Sequence, residues 1–127
     1  MLKTQEKYYI ADPSLKYSRL GFDPKGKSSI LENLVYFELR RRGFDVYIGK
    51  FKDMEIDFVG INKDERIYIQ VCRNIPEDSD RETDNLLKIN DQFPKYVVTL
   101  DEYVTGIYQG IRIVHLADFL SGKYRGE

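Results

Sequence analysis

The chain has 127 residues, of which 42% are hydrophobic and 32% are charged, and its formal net charge at pH 7 is −1. This length predicts a single domain, residues 1–127, with enough apolar residues to build a core. The near-zero net charge excludes a general electrostatic attraction to nucleic acid or membrane, so any basic binding site has to be local. A lone cysteine, Cys72, cannot close an internal disulfide, and no apolar run approaches the about 20 residues that span a bilayer. We therefore expect a cytoplasmic protein with no membrane partner.

Residues 1–28 are interpreted as an N-terminal extension that precedes the core. Within it, Lys7–Pro13 predicts a short strand that ends at the proline. Asp23–Lys27 contains the glycine and proline of a turn, which separates the extension from the first long periodic element.

That element is a helix predicted over Ser29–Arg42, and Gly43 ends it. Ser29 and Glu32 have the spacing of a capping box. The three-four spacing of apolar residues predicts the face that packs on the core. This stripe comprises Leu31, Leu34, Val35, Glu38 and Leu39, with Ile30 and Phe37 beside it.

Three strands are predicted after this helix. Phe44–Lys50 is the first, and Met54–Cys72 is interpreted as a hairpin of two strands joined by a polar turn. Because side chains alternate across a strand, we expect the first hairpin strand to have two opposite faces. One face would carry Glu55, Asp57 and Val59, and the other Met54, Ile56 and Phe58. An acid such as Asp57 among aliphatic neighbours costs free energy unless it is paired, hydrogen-bonded or metal-bound, so it marks a candidate site.

A second helix and two further strands follow the hairpin. The helix is predicted over Ser79–Asp91, where Ser79 and Glu82 repeat the capping-box spacing, and Pro94 ends it. Strands are predicted over Tyr96–Leu100 and Ile111–Leu116, with a loop or irregular hairpin between them, and a short helix begins at Asp118. Consecutive strands predict antiparallel pairing, whereas a crossover helix predicts parallel pairing. We therefore expect an α/β (α+β) fold, a mixed β-sheet flanked by helices, with its core in residues 29–100 and a C-terminal strand and helix in residues 101–127.

The order of helix, three strands, helix and strand, with an acid in the first helix and an Asp on the second strand, resembles the restriction-endonuclease-like αβββαβ core of the PD-(D/E)XK nucleases. Several segments are similar, in combination, to the domain found at the C-terminus of many prokaryotic AAA-type ATPases. These segments are Lys7–Asp12, Leu31–Leu39, Glu55–Val59, Ile69–Cys72, Arg81–Glu82, Leu87–Asp91 and Pro94–Val98. The chain contains no G-x-x-x-x-G-K-[ST] phosphate loop, so it resembles the tail domain alone.

The resemblance implies a site at which carboxylates hold Mg²⁺ or Mn²⁺ and the metal activates water. By motif position, Glu32 is the helix acid and Asp57 the strand-two acid, which makes these two residues the implied metal ligands. Gln70 stands at the position of the strand-three acid, and Cys72 stands at the position of the lysine. An amide oxygen is a weaker partner for Mg²⁺ than a carboxylate, and a thiol supplies no ammonium group. We interpret Glu32, Asp57 and Gln70 as the remnant of a catalytic site.

Each of these residues also has a structural explanation. Glu32 can simply be the capping partner of Ser29, Gln70 can make structural hydrogen bonds, and Cys72 can be a small buried hydrophobic residue. His115, the single histidine, is expected to end a strand rather than to act in catalysis.

Basic residues could contribute in two ways. Arg40, Arg41 and Arg42 are expected to complement the dipole of the first helix, with phosphate binding as the alternative. A cation relocated from the lysine position could come from a further set of residues, Lys50, Arg73 and Lys88.

Three functions are compatible with this pattern. The first is a degenerate nuclease-like accessory domain of an AAA-type ATPase system, which binds nucleic acid or a protein such as the ATPase module without cutting. The second is an active DNA nuclease that depends on Mg²⁺ or Mn²⁺. The third is a structural docking or oligomerisation module, which the content of 10 Tyr and 7 Phe residues favours.

Overall fold

A computed structural model describes residues 6–10, 29–51, 54–72, 83–89, 91–101 and 105–122. In these ranges seven strands form one mixed sheet in the order β1-β2-β3-β4-β5-β7-β6. The strands are β1 (Glu6–Ile10), β2 (Asp45–Phe51), β3 (Met54–Asn62), β4 (Glu65–Cys72), β5 (Lys95–Thr99), β6 (Gly106–Tyr108) and β7 (Ile111–His115). Strands β1 to β4 pair antiparallel, β5 pairs parallel with both β4 and β7, and β6 pairs antiparallel with β7.

Helices occur in all three predicted regions, but the second ends at residue 87 instead of Asp91 and the third begins at Leu116 instead of Asp118. They are α1 (Ser29–Arg41), α2 (residues 83–87) and α3 (Leu116–Ser121). The predicted mixed sheet with flanking helices is confirmed, as are the order αβββαβ and the parallel pairing after the second helix. The predicted start of that helix, with its capping pair Ser79 and Glu82, lies outside the described residues. None of the described helices is long and apolar enough to cross a membrane.

A separate hydrophobic cluster covers each face of the sheet. On one face, Leu31, Val35 and Leu39 of α1 and Phe119 of α3 pack in one cluster with strand residues such as Ile69. On the other face, Leu86 of α2 packs in a cluster with residues of β3, β4, β5 and β7. The sheet is therefore buried on both sides at its centre, as in other folds that place helices over a sheet.

The buried face of α1 differs from the predicted stripe at one position. Leu31, Val35 and Leu39 are buried as expected, and Glu38 is buried with them. Leu34 was expected on this face but is exposed together with Ile30 and Phe37. The sequence contains two overlapping apolar stripes at helical spacing, and only the stripe that includes Leu31 faces the sheet.

The predicted alternation along β3 is wrong because the strand contains a β-bulge. Tyr47 of β2 pairs with Val59, whereas Gly49, two residues later, pairs with Ile56, three residues earlier. One residue of β2 therefore faces two residues of β3, Asp57 and Phe58. As a result Ile56 and Val59 pack in the same cluster on the α2 side, while Phe58 packs on the α1 side.

Candidate functional site

The structure brings Asp57 and Gln70, two of the three predicted site residues, together across β3 and β4. Backbone pairing of the two strands runs from Asn62 opposite Glu65 to Phe58 opposite Ile69. Beyond the pair of Phe58 and Ile69, the side chains of Asp57 and Gln70 form hydrogen bonds between the two strands. Both residues are almost fully buried, with exposed fractions of 4% for Asp57 and 1% for Gln70.

The amide of Gln70 is hydrogen-bonded at both of its ends to the backbone of β3. Its Oε1 accepts from the backbone N–H of Asp57 at 2.8 Å, and its Nε2 donates to the carbonyl oxygen of Glu55 at 3.2 Å. Asn85 of α2 donates to the same carbonyl oxygen at the longer distance of 3.5 Å. The predicted structural role of Gln70 is therefore confirmed, since its side chain binds backbone groups of β3 in place of backbone hydrogen bonds between the strands.

The carboxylate of Asp57 makes the complementary contact to β4. Its Oδ2 accepts from the backbone N–H of Val71 at 2.8 Å. Each residue thus uses its side chain to satisfy the backbone of the opposite strand. A buried carboxylate is stabilised by such a donor, which lowers the cost of removing it from water. We call this reciprocal arrangement of Asp57 and Gln70 the strand bridge.

Glu32, the third predicted site residue, lies in the first turn of α1 and is buried. An acid at this position is favourable because the N-terminus of a helix carries a partial positive charge. The side chain of Ser29 lies outside the described part of the structure, so the capping box remains a prediction.

The described residues contain no group of three or more His, Cys, Asp and Glu side chains arranged to hold a metal ion. Within them, a metal at the predicted place would therefore have at most two acids, Glu32 and Asp57, with the oxygen of Gln70 as a further ligand. That oxygen already accepts the N–H of Asp57. This set is weaker for Mg²⁺ than the cluster of carboxylates that the ion prefers.

The position of the implied lysine is part of the core. Cys72 is buried and packs in the α2-side cluster with Leu86, which confirms its predicted role as a small hydrophobic residue. Of the candidates for a relocated cation, Lys50 lies 3.6 Å from the carboxylate of Glu55, on the neighbouring strand. Lys88 is exposed at the end of α2, and Arg73 lies outside the described residues.

The three arginines at the end of α1 bind groups of the protein itself. Arg40 bonds to Asp45 at 3.1 Å, and both Arg41 and Arg42 bond to the buried carboxylate of Glu38, at 2.6 and 2.5 Å. Burial alone would raise the pKa of Glu38, but the hydrogen bonds and charges of the two arginines outweigh burial and hold that pKa below its ordinary value.

Arg42 also connects the two helices on this face of the sheet. It donates to the backbone carbonyl of Phe119 in α3, and its guanidinium lies 4.6 Å from the centre of the Phe119 ring. The cluster of Glu38, Arg41 and Arg42 was not predicted from the sequence, although a spacing of three and four residues on one helix is typical of such ion pairs.

His115 ends β7, as predicted, and caps the helix that follows. Its Nδ1 accepts a hydrogen bond from the backbone N–H of Ala117 at 3.0 Å, which satisfies a donor in the first turn of α3. This contact gives His115 a structural role at the start of α3.

A second polar cluster, also not predicted from the sequence, fixes the segment before β5. Asp91 accepts from the hydroxyl of the buried Tyr68 at 2.7 Å and from Lys95 at 2.8 Å. Burial would raise the pKa of Asp91, but bonds from Lys95, Tyr68 and the backbone of Phe93 lower it overall. The ammonium of Lys95 also donates to two backbone carbonyls, of Asp91 and Phe93. These contacts attach the segment to β4, so this cluster is also structural.

No family model matches the chain. An uncharacterised protein of Haemophilus influenzae is 40% identical to it over 119 residues, which are 94% of this chain and 30% of that protein. An uncharacterised protein of Methanocaldococcus jannaschii is 41% identical over 75 residues, which are 56% of this chain and 16% of that protein. The chain therefore spans less than a third of the length of these two prokaryotic relatives, and it is similar to one part of each.

Proposed function

We propose that this chain is a non-hydrolytic, nuclease-like accessory domain of an AAA-type ATPase system, and that it binds a protein partner. The observation that carries the proposal is the strand bridge. Gln70 holds the backbone of β3 through both ends of its amide, at the position where the resembled nucleases have a metal-binding acid. A neutral amide whose oxygen and nitrogen both bind backbone groups lacks the negative charge of a metal-binding carboxylate, which supports a structural role for this position.

The lack of hydrolysis is supported by the residues around the bridge. A nuclease of the resembled type needs several carboxylates for Mg²⁺ and a cation near the attacking water. Here the strand-three acid is replaced by an amide, and the lysine is replaced by a cysteine in the apolar core. Lys50 is paired with Glu55, so its ammonium group is less available to replace the lysine that positions the attacking water in the resembled nucleases.

A protein partner is favoured over nucleic acid by the charges. Binding to a phosphate backbone depends on Lys and Arg side chains that are available to neutralise phosphates. Arg40, Arg41 and Arg42, the densest basic group of the sequence, are paired with Asp45 and Glu38. The net charge of −1 adds no general attraction. The similarity of the chain to parts of much longer proteins supports a domain that works next to other domains.

An active metal-dependent nuclease is the second candidate, and one observation favours it. Glu32 and Asp57, the two acids at motif positions, are both buried. Buried acids are frequent at functional sites, where a bound cation offsets the cost of burying their charge.

A cleavage assay separates the two proposals. Supercoiled plasmid is incubated with Mn²⁺ or Mg²⁺ and either the unaltered protein or the Asp57→Asn variant, with EDTA as a further control. We expect the same background nicking in all samples. Nicking that requires Mn²⁺ and disappears in the Asp57→Asn variant would instead establish the nuclease.

A binding titration tests the preference for a protein partner. Fluorescently labelled single- and double-stranded DNA are titrated at two salt concentrations, and we expect no change in anisotropy at either. Binding that weakens steeply with salt would show that phosphate contacts dominate, and the nucleic-acid version of the function would then replace ours.

A further inference from the structure

One side of α1 carries exposed apolar side chains at helical spacing. Ile30, Leu34 and Phe37 have exposed fractions of 72%, 39% and 58%. Their spacing of four and three residues places them on one line along the helix, about 10 Å long at 1.5 Å per residue. We call these three residues the outer stripe, in contrast to the buried stripe that faces the sheet. An apolar line of this form is the usual contact surface of one helix for another.

The charge at one end of the outer stripe is positive. Arg41 follows Phe37 by four residues and therefore continues the line. Arg41 and Arg42 share the single carboxylate of Glu38, so the cluster as a whole retains one positive charge. A helix that binds the outer stripe would gain from an acidic residue opposite Arg41.

The size of the outer stripe argues against a second copy of the chain as its occupant. Three side chains cover far less than the about 800 Å² per partner that a stable interface between free proteins needs. A small surface suffices when the partner is tethered, because a linker gives an effective concentration in the millimolar range. The relatives contain further polypeptide joined to the matched segment, from which such a partner could come. More than two thirds of the Haemophilus influenzae protein lies outside the segment that matches this chain.

We infer that the outer stripe binds an amphipathic helix with an acidic residue at one end, and that this helix belongs to the polypeptide joined to this domain in its longer relatives. The inference rests on the proposed function, in which that polypeptide is the ATPase module. It specifies the surface and the chemistry of the partner, which the strand bridge does not.

The test measures how fast a cysteine at position 37 reacts with a maleimide. The Phe37→Cys variant is labelled in this chain alone and in a chimera, in which this chain replaces the matched segment of the intact Haemophilus influenzae protein. Cys72 is buried and contributes little background. Ile107→Cys is the matched control, because Ile107 is also apolar and exposed but lies on the edge strand β6.

We expect rapid labelling at position 37 in the chain alone, and a rate lower by about tenfold in the chimera, as for a surface closed most of the time. The control at position 107 should change by less than about twofold. Adding Arg41→Glu to the chimera should raise labelling at position 37 by about threefold, since it places like charges in contact with the partner helix. The same change in the chain alone, where Glu38 keeps its bond to Arg42, should alter the rate by less than about twofold. An unchanged rate in the chimera would overturn the acidic end of the partner helix.

Other results would overturn the inference itself. Equal labelling at position 37 in the chain and the chimera would mean that the tethered polypeptide does not cover the stripe. Slow labelling in the chain alone would mean that another part of this chain covers it, or a second copy if the rate depends on concentration. If the chimera does not fold, the same cysteine is placed in the unaltered relative at the position aligned with Phe37, and labelling is compared in the native and urea-unfolded protein. None of these results bears on plasmid cleavage, so the inference and the non-hydrolytic function can fail separately.

Discussion

Glu38 and Asp57 are both buried acids, yet the fold satisfies them in different ways. Glu38 binds two guanidinium groups, and one of them, from Arg42, continues to the carbonyl and ring of Phe119. Asp57 binds the backbone N–H of Val71, and its own backbone N–H binds Gln70. The first arrangement joins two helices by charge, and the second closes two strands by hydrogen bonds to the backbone.

The groups that bind these two acids decide how an acid at a motif position should be interpreted. Both acids are buried in the core region, and a sequence pattern alone would rank Asp57 as the more functional of the two. Their partners give each acid a contact that offsets part of the cost of its burial. An acid is therefore informative about chemistry only after the groups that bind it have been identified.

The largest effect is expected at the charge cluster. The Glu38→Ala variant leaves Arg42 buried without its carboxylate, which should lower the free energy of unfolding by about 3–5 kcal/mol. The Asp45→Ala variant is the matched control, because it also removes the acid of an arginine pair at the end of α1. That pair is exposed, so its loss should cost less than about 1 kcal/mol in urea unfolding. Equal losses in the two variants would contradict the role assigned to Glu38.

The next largest effect is expected at the strand bridge. The Gln70→Ala variant leaves the N–H of Asp57 and the carbonyl of Glu55 without this partner and should cost about 3 kcal/mol in urea unfolding. Asn85→Ala is the control, since Asn85 donates to the same carbonyl oxygen at 3.5 Å and should cost less than about 1 kcal/mol. A small loss for Gln70→Ala would mean that β3 and β4 hold together without the bridge.

A smaller effect separates the charge of Asp57 from its shape. The Asp57→Asn variant keeps an oxygen that can accept from Val71 and should cost about 1 kcal/mol, because a neutral acceptor is weaker than a carboxylate. The Asp57→Ala variant removes the acceptor and should cost about 2 kcal/mol. Chemical denaturation of both variants checks the order. If the Asp57→Asn variant were more stable than the unaltered protein, the negative charge of Asp57 would be unfavourable in the folded state, as expected of a metal ligand without its metal.

The weakest effect is the dependence of stability on acid pH. The pKa of Glu38 is lower in the folded protein than its ordinary value of 4.5, so its stabilisation is complete above that value. It is lost as pH falls below 4.5 and through the folded pKa, because the folded protein then has to bind a proton that the unfolded chain binds more readily. Unfolding measured between pH 6 and pH 3 should therefore show a flatter decline for Glu38→Gln than for the unaltered protein. Asp91, whose pKa is also lowered, maintains part of the decline in both. If the free energy of unfolding declined equally with pH in both proteins, the charge of Glu38 would not contribute to stability as assigned.

Much of the fold follows from sequence periodicity. The helix at Ser29, the hairpin in Met54–Cys72 and the parallel pairing of β5 were all predicted, because helical and strand periods and a crossover leave few alternatives. The bulge at Asp57 and Phe58 was not predicted. The bulge depends on the register between β2 and β3, and no residue type near Asp57 in the sequence indicates it.

The site was predicted in its residues and only partly in its contacts. Gln70 was expected to make structural hydrogen bonds, and it does, but the backbone groups that it binds depend on how far β3 and β4 separate. On α1, Glu38 was placed on the buried face correctly, although its arginine partners were assigned to the helix dipole instead. Because α1 has two apolar stripes, the sequence alone did not determine which stripe is buried, and tertiary packing decides it.

Whether Gln70 is a structural bridge or part of a metal site can be measured from the stability of the Gln70→Glu variant at pH 7, with and without Mn²⁺. This change restores the acid that the resembled nucleases have at this position. If Gln70 is a structural bridge, the new carboxylate replaces a donor facing the carbonyl of Glu55, and the free energy of unfolding should fall by about 3 kcal/mol. Mn²⁺ should not recover this loss. A variant that is as stable as the unaltered protein, or one that Mn²⁺ stabilises strongly, would show instead that the position still belongs to a metal site.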